Sequence, residues 1–466
     1  MQFDSFAYLG FFPIVFVLYH LLRKSFRTQN LLISVASLVF YSWFDARLTL
    51  LLLAYAVVGY GMGLVIHRTE PGPGRRRLTG LTVALLLLGL GIFKYLGFFQ
   101  ESFSTAVEML GFDASWPMIE ILLPIGLSFY CFQSIAYVVD VHRGLAEPER
   151  SFVTYVAFMF FFAQLVAGPI ERASHLLDQF QRPRTVGREQ AREGVWLLLW
   201  GFFLKVVVAD TLGGFVDVAF VPRESTTAMT VLTGTIAFNL QIYSDFNAYS
   251  LIAKGSAALL GIDLVWNFDR PFWSRSVQEF WRRWHISLGT WLRDYLYIPL
   301  GGSRRGAART YVNLAVTMTL GGLWHGAAWT FVVWGALHGL ALAVHRLYQR
   351  RGRPFPMPGW LSWAVTTGFV FAAFFLFRAP SLAVAGELLS ACGRFEWIPF
   401  EGAAWRAILL LSIVMFSVEA YQMRKGSLAA PAKVPAIPFA ILATGLLLGI
   451  VVRFGGTPHQ FIYFQF

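Results

Sequence analysis

The chain has 466 residues, of which 56% are apolar, 17% aromatic and only 14% charged. Soluble domains carry about 25% charged residues, so three water-exposed domains are excluded, as are disordered, collagen-like and disulfide-framework classes given the apolar content and two cysteines. The net charge of +12 does not point to nucleic acid, because the basic residues fall in short clusters between apolar runs, the pattern of the positive-inside rule.

A membrane-crossing helix needs about 20 mostly apolar residues. Runs of that kind cover 7–22, 30–44, 48–66, 78–98, 121–141, 152–170, 195–212 and 227–245, and then 310–347, 360–377, 405–421 and 435–452. The reading is an all-α, polytopic membrane protein with about 11–13 membrane segments, some re-entrant, in one domain over 1–466. The first run has Asp4 before it and no small-residue cleavage site, so it reads as a retained span. Cys131 and Cys392 lie in or beside apolar runs and read as buried thiols.

Loop charges give the sides. Arg23, Lys24 and Arg27, then Arg68 and Arg75 to Arg77, mark inner loops, which places the N-terminus outside. Glu101, Glu108, Asp113 and Glu120 fill an outer loop that has no basic residue. Arg304, Arg305 and Arg309, then Arg346, Arg350, Arg351 and Arg353, then Arg424, Lys425 and Lys433 read as inner, so 310–347 enters from the cytoplasm and returns to it, and the C-terminus lies outside. Arg150 and Arg172 flank 152–170 alike, which keeps the count consistent only if that segment is a re-entrant hairpin.

The stretch 270–300 is dense in Trp and Arg and is not a span. Val277, Trp281, Trp284, Leu288, Trp291 and Tyr295 recur at helical spacing and predict one amphipathic cytoplasmic helix, with Glu279 and Arg283 able to pair at i, i+4. Such a helix suits the headgroup boundary as an anchor. His285 falls on its apolar face, where a satisfied core histidine is the plain reading and chemistry needs a second polar group.

Ionisable groups at membrane depth default to function. His325 follows Gly321-Gly322 and precedes Gly326, which predicts a backbone break within 310–347 and a histidine facing a cavity. Asp245, Asn247 and Tyr249 close an apolar run; they either satisfy a polar helix end or orient a catalytic neighbour. His338 lies about 220° round an ideal helix from His325. No metal-ligand spacing, nucleophile elbow, Walker loop or dinucleotide fingerprint occurs in its required context. That leaves acid–base catalysis, for which histidine is the natural group near neutral pH.

The motifs NLLISVASLVFYSWFD (30–45), PIGLSFYCFQSIAYVVDVHRG (124–144), QLVAGPIER (164–172), GFFLKVVVAD (201–210), YSDFNAYS (243–250), FWRRWHISLGTWLRDYLYIPLGG (280–302), GGLWHG (321–326) and FIYFQF (461–466) stand in the order of the membrane-bound O-acyltransferase (MBOAT) family, in its bacterial alginate O-acetylation branch, which the chain resembles. Two departures stand out: Asn247-Ala248 replaces the family's Ser-Gly, and His142 stands where Tyr is expected. The resemblance implies a membrane funnel with His325 as the essential catalytic residue and His285 as its second signature position. It further implies an acyl donor, acetyl-CoA or another acyl thioester, arriving from the cytoplasm, with no bound cofactor. The acyl group would pass to an extracytoplasmic acetyltransferase that modifies a polysaccharide at the bacterial inner membrane.

On chemistry, Trp281, Arg282, Arg283 and Trp284 suit an anionic donor, and Trp324 joins the tryptophans that would wall the site. Three alternatives remain open: a D-alanyl transferase of teichoic-acid type, a transporter or export channel, and a scaffold without activity.

Overall fold

A computed structural model describes residues 1–113, 117, 119, 121–352, 356–396, 399–455 and 459–464. The topology markers Glu120 and Arg353, and the final Gln465 and Phe466, lie outside the described residues. Every regular element among those residues is helical. Seven helices are long and apolar enough to cross a bilayer: Leu48–Arg68, Pro73–Met109, Arg188–Ala219, Trp329–Arg350, Gly359–Arg378, Glu401–Lys425 and Ala436–Arg453. The polytopic all-α class is therefore borne out. Several other expected segments are helical but too polar or too short for that criterion. Phe26–Ser42, for example, buries Gln29, Asn30, Ser34 and Ser37.

Packing divides the chain into two compact units, 1–187 with 256–265, and 188–255 with 266–466. In the first unit the polar residues of the early motifs serve packing. Asn30 Nδ2 donates to Phe180 O at 2.8 Å and Thr154 Oγ1 at 3.2 Å, while its Oδ1 accepts from Arg184 at 2.7 Å. The segment expected to cross or re-enter at 152–170 has a helix only at Phe152–Met159. Eight residues rise about 12 Å, too little to cross an apolar core about 30 Å thick. The irregular backbone that follows is buried and held by polar partners: Phe162 N donates to Ser37 Oγ at 3.0 Å, and Gln164 Nε2 donates to Phe158 O at 2.8 Å. Non-helical backbone at membrane depth requires such cover.

In the second unit, Ala307–His325 and Trp329–Arg350 pack against each other as a helical pair. The expected break in 310–347 exists, but it falls at 326–328, after His325. Gly321 and Gly322 remain helical. Their unit-mate Gly339 explains the role of glycine here: a Cβ on it would lie 2.8 Å from Ala315 Cα, and one on Gly322 would lie 3.0 Å from Gly335 Cα. The glycines let two backbones touch instead of unwinding one of them.

Two other expectations are corrected. The single amphipathic helix over 277–295 is two short helices, Val277–Arg283 and Ile286–Leu292, with His285 between them in the left-handed region at φ 44°. Cys131 is buried as expected, whereas Cys392 is exposed, in the turn after Leu382–Ser390.

Candidate functional site

The break at His285 sets its position. Trp284 N closes the first short helix on Phe280 O at 2.8 Å, and Ile286 N, the first amide of the next, donates to Asn267 O at 2.9 Å. Ser287 Oγ donates to Asn267 Oδ1 at 2.9 Å, and Asn267 Nδ2 reaches Ser250 Oγ at 3.3 Å. A non-glycine residue in the left-handed region costs about 1–2 kcal/mol, so these bonds hold a turn the backbone alone disfavours. The result directs the His285 ring inward, edge-on to Phe246 at 4.6 Å, with the residue fully buried.

His325 is the last residue of Ala307–His325 and is 4% exposed. Its ring is boxed by Trp324 at 5.1 Å, Trp334 at 5.3 Å and Phe377 at 5.3 Å. The two histidine rings stand 6.0 Å apart, and Trp324 lies 5.7 Å from His285. The sequence separation of forty residues is thus closed by the helical pair and the broken helix together.

The group between them is one that sequence reasoning missed. Tyr463 Oη lies 2.9 Å from His325 Nδ1 and 3.5 Å from His285 Nδ1. The signal was present in FIYFQF, a motif carrying the family resemblance, but no periodicity assigned its tyrosine a role. Lys205 was missed in the same way: a lysine inside the apolar run of GFFLKVVVAD is a flag by itself.

Asp245 is not at a helix end, as expected, but in the middle of Ala228–Leu259. Its Oδ2 accepts from Ile462 N at 2.8 Å, and its Oδ1 lies 3.2 Å from Lys205 Nζ. Lys205 also pairs with Asp210 at 2.8 Å and donates to His459 O at 2.7 Å. Asp245 therefore holds the C-terminal segment. Tyr249 packs on Phe461 at 4.5 Å. Asn247 lines a separate small space with Trp266, Arg270 and Glu419 and is not brought to the histidine pair.

The Trp–Arg cluster also divides. Trp284 is buried against Phe268, Phe374 and Phe280, at 5.0, 5.2 and 5.5 Å, and is core. Arg283 pairs with Glu279 at 2.7 Å, the i, i+4 bridge expected from sequence. Trp281 and Arg282 instead line a cavity of about 590 Å³, with Ile286, Arg293, Met318 and Arg346 among its walls. Trp281 Nε1 donates to His338 Nδ1 at 3.2 Å, and His338 is buried. The cavity's walls include the short helices on either side of His285, the helix that ends at His325, and Trp329–Arg350, which packs against it. Its volume lies within the range for small-molecule sites, about 300–1,000 Å³. Among the described residues, no group of three His, Cys, Asp or Glu side chains is arranged to hold a metal ion.

The MBOAT, membrane-bound O-acyltransferase family matches residues 147–386, which contain both histidines. The chain is 40% identical to the probable alginate O-acetylase AlgI of Pseudomonas syringae pv. tomato, over 85% of this chain and 76% of that protein. It is 34% identical to the peptidoglycan O-acetyltransferase of Helicobacter pylori, over 82% and 77%. With the teichoic acid D-alanyltransferase of Bacillus subtilis the identity is 22%, over 54% and 68%. The chain belongs to the MBOAT family. It is accordingly a multi-pass membrane acyltransferase, embedded in a lipid bilayer.

Proposed function

We propose that this acyltransferase moves acetyl groups from an acyl thioester such as acetyl-CoA across the bacterial inner membrane for O-acetylation of an extracytoplasmic polysaccharide. The observation that carries this reading is the buried His325–His285 pair, bridged by one hydroxyl at the end of a helix whose side lines an arginine-rimmed cavity. The acetyl branch is supported by the higher identity to alginate and peptidoglycan O-acetylating proteins than to D-alanyl transferases.

In the proposed chemistry His325 Nε2 takes the proton of an attacking hydroxyl as its oxygen bonds to the thioester carbonyl carbon. The carbon–sulfur bond then breaks, and His285 supplies a proton to the departing thiolate. Positioned proton transfer of this kind contributes about 10²–10⁴-fold. The donor would lie in the cavity with its phosphates on Arg282, Arg293 and Arg346, since guanidinium groups suit phosphate. Arg346 Nε is buried with no hydrogen-bond partner among the described residues, which suits a ligand anion. The outward leg, with both chain termini outside and an extracytoplasmic transferase receiving the group, rests on the loop charges and the family resemblance.

The test is acyl-ester analysis of surface glycans from a deletion strain complemented with the wild-type or His325→Ala chain. The variant should insert at normal levels and leave acetyl esters at the deletion background. Wild-type ester levels with His325→Ala would sink the mechanism, and alanyl in place of acetyl esters would move the assignment to the D-alanyl branch.

A further inference from the structure

The cavity wall next to His285 carries a glycine that no demand of the backbone explains. Ile286, Gly289 and Arg293 all line the cavity. Residues three and four apart share one face of a helix, so these three form a stripe. It runs from the neighbour of His285 to a guanidinium and advances about 10 Å. At its middle stands a residue with no side chain.

Glycine within a helix is less favourable than alanine, because it gives up more backbone freedom on folding. Three structural needs offset that loss elsewhere, and none applies at Gly289. Left-handed backbone is one, but Gly289 is not among the glycines of positive φ. A helix end is another, but Gly289 is the middle residue of Ile286–Leu292, with its amide bonded to His285 O at 2.9 Å. Close approach of backbones is the third. A Cβ on Gly339 would lie 2.8 Å from Ala315 Cα, whereas one on Gly289 would meet Trp281 O at 3.5 Å, an ordinary contact. What remains is the cavity itself. We infer that Gly289 is a specificity-determining residue, whose missing side chain keeps this wall open for the arm of a pantetheine thioester, laid along the stripe with its phosphate at Arg293 and its thioester toward His285. The assignment rests on the proposed use of the cavity for the donor, and it fits the shape of that class. The arm is an unbranched chain of methylenes and amides from the sulfur until close to its phosphate, so it lies flat on bare backbone where a side chain would lift it away.

The deciding measurement is thiol labelling of the solubilised full-length chain carrying Gly289→Cys and Cys392→Ser, in which the remaining native thiol, Cys131, is buried. N-ethylmaleimide should modify the new thiol. The probe 4′-phosphopantetheine, the part shared by coenzyme A and the arm of an acyl carrier protein, should slow that reaction. Protection by coenzyme A at lower concentration assigns a free coenzyme A thioester as the donor, and equal protection assigns a carrier-held arm; labelling that neither slows overturns the inference. Gly289→Ala should raise the melting temperature, since alanine is the better helix former and its Cβ has room. Gly289→Leu, at equal membrane abundance, should lower glycan acetyl esters at least about 10-fold. A lower melting temperature in Gly289→Ala would make the glycine a packing residue, and wild-type esters in Gly289→Leu would take it off the donor's path; either result overturns the inference. Wild-type acetylation by His325→Ala is a failure of the functional reading instead, and the protection experiment still decides what lies over Gly289.

Discussion

At the scale of single residues, buried charge is spent on holding backbone in place. Asp245→Asn should leave Lys205 with one fewer charge partner and loosen the Ile462 amide. Removing one member of a buried ion pair typically costs about 3–5 kcal/mol, a value that the remaining Asp210 partner should reduce. The expected outcome is a lower melting temperature of the detergent-solubilised protein and faster proteolytic trimming of the C-terminus; an unchanged trimming rate would show that the pair is not the anchor. In the first unit, His175 is flanked by the carboxylates of Asp263, 3.7 Å from Nε2, and Glu171, 2.9 Å from Nδ1, which raise its pKa to about 10. Because the folded value lies above the unfolded one of about 6.5, the stabilisation is complete below about pH 6.5 and is lost as pH rises through about 10. Melting temperature followed over that window should fall in the wild type. In His175→Gln it should start lower and stay flat, and a parallel fall in both would rule out His175 as the cause.

At the scale of elements, most of the expected segments are helical but several stop elsewhere, and 152–170 is helical only over Phe152–Met159. The Trp and Arg spacing over 277–295 is helical throughout, yet Asn267 captures the Ile286 amide and the Ser287 hydroxyl and splits the helix at His285. That competitor lies about twenty residues upstream and leaves no trace in a local pattern. The glycines near His325 were legible as special, but close approach and unwinding both call for glycine. Only the packing of Ala307–His325 on Trp329–Arg350 shows that close approach is the role. Gly339→Ala, which sets a Cβ 2.8 Å from Ala315 Cα, should destabilise the pair by about 1–3 kcal/mol, read as a drop in melting temperature. A neutral result would mean that the two helices can separate without cost.

At the scale of the whole molecule, the loop charges predict a topology that the chain's own cysteines can report. Cys392 lies between 360–377 and 405–421, on the outer side by the positive-inside reading, and it is exposed. Cys131 is buried. A membrane-impermeant maleimide added to intact spheroplasts should label Cys392 in the wild type and give no signal in Cys392→Ser. Labelling of Cys392 only after the membrane is permeabilised would invert the proposed orientation of this part of the chain.

The charge deficit and the length of the apolar runs determined the membrane class and the all-helical architecture, because a bilayer accepts few other ways of satisfying a backbone. The same logic singled out His325 and Asp245, since ionisable groups among apolar neighbours are costly to keep, whereas His285 stood out by its place on the apolar face of the 277–295 pattern. Tertiary structure alone decided what each of them meets. Tyr463 is 138 residues from His325 and 178 from His285. Trp284 and Arg283 go to the core and to Glu279, while Trp281 and Arg282 go to the cavity. Local periodicity fixes which face of a helix a residue occupies, but what lies opposite that face is set by long-range packing, and the hydroxyl that joins the two histidines is a product of packing alone.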